Sequence, residues 1–134
     1  ILGSDISIRV LEQARTGLYT MERMRGLAPA ALHAHCLKGV GSQEGCFMID
    51  PVLRRRVRFA HINLNEPLPD VGEFDVIFLR NVMIYFQTET KRQVVARLQA
   101  KLRPGGFFVV GHSESLNGLS LGLETVAPSI YRKP

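Results

Sequence analysis

Polar side chains able to do chemistry fall at four points, each at the end of a short apolar run. Asp5 follows Ile1-Leu2-Gly3-Ser4, Asn63 follows Val57 to Ile62, Arg80 and Asn81 follow Phe74 to Leu79, and His112 follows Phe107 to Gly111. In open α/β sheets, ligands bind beyond the carboxyl ends of the strands, so such groups can converge on one crevice. An acid at the end of an early strand suits the two hydroxyls of a ribose, a role Asp5 can fill. Asn63 with Leu64 suits an adenine, an amide for the ring's polar edge and an apolar side chain for its face. Asn81 with Arg80 could meet the amino-acid end of a nucleoside-bearing cofactor, and Met83, Ile84, Tyr85 and Phe86 could wall a pocket beside it. The plainer alternative, in which Arg80 pairs with a surface acid and Asn81 makes a turn, stays open at this point.

Other chemistries find little support. Ser113 lies beside His112, but adjacent residues rarely adopt triad geometry, and no G-x-S-x-G elbow is present. His33 and His35 are two apart on a helical stretch and point in different directions, so no metal site is expected. Cys36 and Cys46 are too few for a disulfide framework, and we expect reduced thiols in a cytoplasmic protein. A net charge of +5 is a mild bias towards acidic partners and insufficient for nucleic acid. No apolar run approaches the roughly 18 residues of a membrane helix. The 134 residues, 46% of them hydrophobic, are enough for one domain with a real core.

The elements that position these groups follow from pattern. Phe74 to Leu79 is apolar without alternation, which predicts a strand buried on both faces. Asp5 to Ala14 reads as a loop and then a helix, capped by Asp5 or Ser7 and ended by Gly17. Met21 to Leu27 reads as a weak helical segment, and Pro29 opens another helix. Lys38 to Asp50 carries Gly39, Gly41 and Gly45 among strand-like residues and predicts a small β-hairpin. Pro51 to Arg56 is a helical turn bearing three arginines, and Val57 to Leu64 a strand. Thr88 to Leu102 is the clearest helix, with Val94, Val95, Leu98 and Leu102 on one face and either a Thr90–Gln93 capping box or Thr88 as its cap. Arg103-Pro104-Gly105-Gly106 predicts a sharp turn, Phe107 to Gly111 a buried strand, and Leu123 to Arg132 an antiparallel pair hinged at Pro128. The order predicts an α/β fold, a mostly parallel doubly wound sheet with a small β insertion.

Several stretches together resemble the chemotaxis receptor methyltransferases of the CheR type. They are S-D-I-S from Ser4, L-K-G-V-G-S-Q-E-G from Leu37, I-N-L from Ile62, F-D-V-I-F-L-R-N-V-M-I-Y-F from Phe74, L-R-P-G-G from Leu102 and G-H-S-E-S from Gly111. R-N-V-M-I-Y-F with G-H-S-E is the specific part. The resemblance implies a class I (Rossmann-like) methyltransferase fold with an antiparallel β insertion and a C-terminal antiparallel hairpin. It implies S-adenosylmethionine as cofactor, S-adenosylhomocysteine as product, and glutamate side chains of a chemotaxis receptor's cytoplasmic domain as substrate. Carried over by residue, it puts Asp5 on the ribose, Asn63 and Leu64 on the adenine, and Arg80, Asn81 and Val82 at the strand-end cofactor contacts. Tyr85 and Arg80 are the catalytic-site candidates, Tyr85 as a positioning aromatic near the reacting methyl. Gly39, Gly41 and Gly45 match the G-x-G-x-x-x-G of members that capture a receptor's carboxyl-terminal pentapeptide as an added strand. The family's first strand and glycine-rich loop have no counterpart here, so residues 1–134 are expected to be a partial methyltransferase domain with a β-subdomain within 37–61. The alternatives are a non-catalytic receptor-tethering module and another class I methyltransferase; R-N-V-M-I-Y-F and the insertion stand against the latter.

Overall fold

A computed structural model describes residues 1–119 and 121–134. The chain divides into two compact units, Ile1–Asn63 and Leu64–Pro134.

The first unit is built on a parallel strand pair, β1 (Leu2–Asp5) beside β5 (Arg58–His61), in the register Asp5 opposite His61. Between them in sequence comes α1 (Ile8–Thr16), which packs on both strands. It starts where the sequence says it should: Ser7 Oγ accepts from Val10 N–H, and Gly17 closes the last turn in the left-handed region. Leu11 is its buried anchor. A three-stranded antiparallel sheet follows, with β4 (Cys46–Ile49) between β2 (Leu18–Thr20) and β3 (Cys36–Lys38). The β3–β4 hairpin is the one the glycine pattern predicts; its third strand comes from further upstream. A 3-10 turn at Met21–Met24 and α2 (Pro29–His35) link β2 to β3, and α3 (Pro51–Arg54), capped by Asp50, leads to β5.

The second unit is a four-stranded sheet in the order β6-β7-β9-β8, with β6 (Phe74–Leu79), β7 (Leu102–Val110), β8 (Glu124–Ala127) and β9 (Ile130–Arg132). Strands β6 and β7 are parallel; β9 runs antiparallel to β7 and to β8. The connection from β6 to β7 is α4 (Thr88–Ala100), whose Val94 and Val95 are fully buried with Phe108, Leu102, Met83 and Leu79. Completely burying one such side chain contributes roughly 1.5–3 kcal/mol, so this cluster dominates the unit's stability. The helix begins without the expected capping box: Glu89 takes both Arg92 and Gln93, which leaves no partner role for Thr90.

Two expectations are corrected. Strand β6 is not buried on both faces: Leu79 is buried, but Phe78 is 70% exposed. The strand lies at the edge of its sheet, and α4 covers only one side, so Val76, Phe78 and the neighbouring Phe107 remain open on the other. The Arg103–Gly106 segment is not a turn between helix and strand. It lies inside β7 as an irregularity, where the register moves from Phe74 opposite Leu102 to Val76 opposite Phe107. The extra residues bulge out of the ladder, which lets a proline occupy a strand.

Candidate functional site

In the first unit, the parallel pair brings Asp5 and Asn63 to the same end. Ile62 N–H donates to Asp5 O at 3.2 Å, and His61 Nε2 meets Ile6 O at 2.9 Å, so the segments leaving β1 and β5 are tied together. The half-buried Asp5 carboxylate is aligned by Ser7 N–H, which donates to Oδ1 at 2.7 Å. A carboxylate oriented in this way is an acceptor suited to a hydroxyl. Asn63 is half-buried one residue beyond the buried Ile62.

In the second unit, Leu64 is fixed by Arg97, whose Nη1 donates to the Leu64 carbonyl at 2.9 Å, while its side chain packs against the core. Arg80 and Asn81 are exposed directly after β6, and Arg80 makes no ion pair among the described residues. The reading of Arg80 as a partner for a surface acid within this chain therefore lapses. Asn81 has φ +60°, a left-handed conformation that costs a non-glycine residue energy but that asparagine tolerates. Val82 is half-buried against the core and starts the 3-10 turn Met83–Tyr85. That turn corrects the expected pocket wall: Met83 is 1% exposed and points into the core, and Phe86 packs against it, whereas Ile84 and Tyr85 face outwards. Tyr85, 82% exposed, is presented and not enclosed.

Sequence reasoning missed the residue that organises this end of the sheet. Glu114 is buried, and its carboxylate accepts three main-chain N–H groups at 2.8 Å each: Asn81 and Gly111 on Oε2, Met83 on Oε1. Burial pushes its pKa up, but the N–H groups of Asn81, Gly111, Met83 and Ile84 together outweigh burial and hold it below the ordinary carboxylate range. Gly111, at the end of β7, lies so close that a Cβ there would fall 2.6 Å from Asn81 Oδ1 and 2.7 Å from Glu114 Oε2. The available signal was an acid shortly after a buried strand ending in glycine, in G-H-S-E. His112 and Ser113 are exposed in the turn between.

The glycines of the β3–β4 hairpin each have a local reason. A Cβ on Gly39 would fall 1.9 Å from Gln43 O, so the backbone that approaches it is its own turn. Gly41 and Gly45 have φ +59° and +82° with open space around them. The register leaves two free edges. Gly39 N–H donates to Cys46 O and Asp50 N–H to His35 O, so the main-chain N–H of Lys38 points away from β4.

In the first unit, a strand-end carboxylate and an amide at the same end of the parallel pair suit a ribose and the polar edge of an adenine. In the second unit, an exposed guanidinium beside an amide held over a glycine suits an α-amino acid. Ribose, adenine and α-amino acid are the parts of a nucleoside carrying a methionine tail. Among the described residues there is no group of three or more metal-ligating side chains, and no helix is long and apolar enough to cross a membrane.

Each unit carries a parallel strand pair with polar side chains just beyond its strand ends, an α/β arrangement consistent with a Rossmann-like methyltransferase domain. The family described as CheR methyltransferase, SAM binding domain, matches residues 1–131, and the chain belongs to that family. The chain is similar to the chemotaxis protein methyltransferase of Salmonella typhimurium, 38% identical over 132 residues that make up 98% of this chain and 46% of that relative. The Escherichia coli chemotaxis protein methyltransferase is 36% identical with the same coverage. That of Borreliella burgdorferi is 37% identical over 99% of this chain and 46% of its own length. The chain thus spans about half the length of the curated relatives it matches. S-adenosylmethionine is the cofactor the family binds.

Proposed function

We propose that the protein carrying this chain is a cytoplasmic S-adenosylmethionine-dependent protein-glutamate O-methyltransferase acting on chemotaxis receptors. The observation that carries this reading is the family match along residues 1–131. When bound, the cofactor supplies a sulfonium methyl, which passes to an ionised glutamate oxygen as the carbon–sulfur pair returns to sulfur. A glutamate is already ionised at neutral pH, so no residue here has to act as a base. The chain's own contribution is binding and orientation. Asp5 would accept from the ribose hydroxyls, Asn63 and Leu64 would take the adenine, Arg80 and Asn81 would meet the amino-acid end, and Val82 would be a further strand-end contact. Tyr85 would be a positioning aromatic for the reacting methyl. The β-subdomain expected within 37–61 includes Leu18–Thr20 as its third strand.

The three-stranded sheet is, in this reading, the docking element for an extended receptor peptide, including the receptor's carboxyl terminus, along the free edge of β3. Lys38→Pro removes the outward N–H while leaving the β3–β4 ladder intact, because proline is tolerated on the open side of an edge strand. It should abolish peptide capture and spare cofactor binding.

The cofactor assignment is tested by titrating S-adenosylhomocysteine into the full-length protein. Asp5→Ala should weaken binding about 10- to 100-fold, the loss of hydrogen bonds to an ionised group. An unchanged affinity would remove Asp5 from the site.

A further inference from the structure

The buried carboxylate of Glu114 is used by no step of the reaction, yet it satisfies three main-chain donors from two different strand ends. Asn81 and Met83 lie beyond β6, Gly111 beyond β7, and Glu114 N–H closes its own turn by donating to Gly111 O at 2.9 Å. A strand end followed by a 3-10 turn leaves N–H groups without ladder partners, and a buried orphan costs about 1–3 kcal/mol. One ionised side chain removes three of them. It does so by bonding the N–H of the very residue, Asn81, whose backbone is left-handed. The missing Cβ of Gly111 leaves the space in which the Asn81 amide lies.

We propose that Glu114 is a positioning residue for the cofactor site: it holds Asn81 in its left-handed conformation, and so presents the Asn81 amide and the adjoining Arg80 to the cofactor's amino-acid end. The inference rests on the cofactor reading above and adds a residue to it. The lowered pKa of Glu114 agrees, since the three N–H groups favour the ionised carboxylate that accepts them. Glutamine at 114 has one acceptor oxygen, and its amide nitrogen would face an N–H.

The test compares two ligands on the full-length protein. S-adenosylhomocysteine carries the amino-acid end; 5′-methylthioadenosine keeps the nucleoside and sulfur without it. Glu114→Gln should weaken the first about tenfold or more and change the second by no more than about twofold. Asn81→Gly should show the same split, and the double variant should lose little beyond either single one, because both act at one point. Gly111→Ala reaches the same contact from the other side and replaces Glu114→Gln should that variant fail to fold. Equal losses for both ligands would reduce Glu114 to a structural residue and overturn the proposal, as would an unchanged affinity for S-adenosylhomocysteine or strictly additive losses. A wild-type protein that binds neither ligand would overturn the cofactor reading itself.

Discussion

Gly39 and Gly41 are both glycines of one hairpin, but they should respond very differently to alanine. At Gly39 the new Cβ would meet main-chain atoms: Gln43 O at 1.9 Å, Gln43 C at 2.8 Å and Cys46 O at 3.0 Å. No side-chain rotation relieves that, so the turn must be rebuilt. The bonds at risk are Gly39 N–H to Cys46 O at 2.8 Å, Gln43 N–H to Val40 O at 3.2 Å and Glu44 N–H to Gly41 O at 3.1 Å. At about 1 kcal/mol each, losing two or three gives about 2–3 kcal/mol of local destabilisation. At Gly41 nothing lies within 4 Å, and only the left-handed φ of +59° is penalised, about 1–2 kcal/mol. Native-state hydrogen exchange at the amides of Met21, Gly39 and Ile49, which report the three-stranded sheet, reads the difference directly. Gly39→Ala should lower their protection by about 30- to 160-fold, Gly41→Ala by about 5- to 30-fold. If the two variants cost the same, or Gly39→Ala costs less, the glycine at 39 is not there for its own turn. Replacing Gly39 would then be a fair test of peptide docking, which on the present geometry it is not.

Other expectations follow from the second unit. Tyr131 is buried and its hydroxyl accepts from Leu116 N–H at 3.0 Å, so Tyr131→Phe should orphan that donor and cost about 1–3 kcal/mol in urea unfolding. Phe108 is fully buried and Phe78 is 70% exposed, so in the 134-residue chain Phe108→Ala should cost about 3–5 kcal/mol and Phe78→Ala less than about 1 kcal/mol. Glu114 has a folded pKa below its unfolded one, so its stabilisation is full above the ordinary carboxylate range and is lost as pH falls through the folded value. The stability gap between wild type and Glu114→Gln should accordingly be constant near neutrality and narrow in acid, measured by denaturant titration at each pH.

How much of this was legible depends on where the information resides. The strand Phe74–Leu79, the helix capped by Ser7 and Gly17, and the closing pair hinged at Pro128 are written locally, in apolar runs, caps and breakers. Leu18–Thr20 was missed because three residues carry no period, and only pairing with Met48, Phe47 and Cys46 makes them a strand. Pro104-Gly105-Gly106 read as a turn because a bulge and a turn use the same residues; the ladder with β6 decides between them. The exposure of Phe78 is likewise a matter of which face of the sheet is covered, which composition does not encode. For the site, Asp5, Asn63, Arg80 and Asn81 were expected at or just beyond strand ends, and the structure has them there. Glu114 escaped because its role is to bind main chain, and main-chain donors leave no mark in a sequence.

Methyl transfer itself is the most direct test of the proposed activity. The full-length protein is incubated with methyl-labelled S-adenosylmethionine and the cytoplasmic domain of a chemotaxis receptor. Label should appear on glutamate side chains and be released as methanol by mild base, the behaviour of a carboxyl methyl ester. A receptor that stays unlabelled while the label turns up on nucleic acid or a small molecule, or in a base-stable linkage, would contradict the assignment.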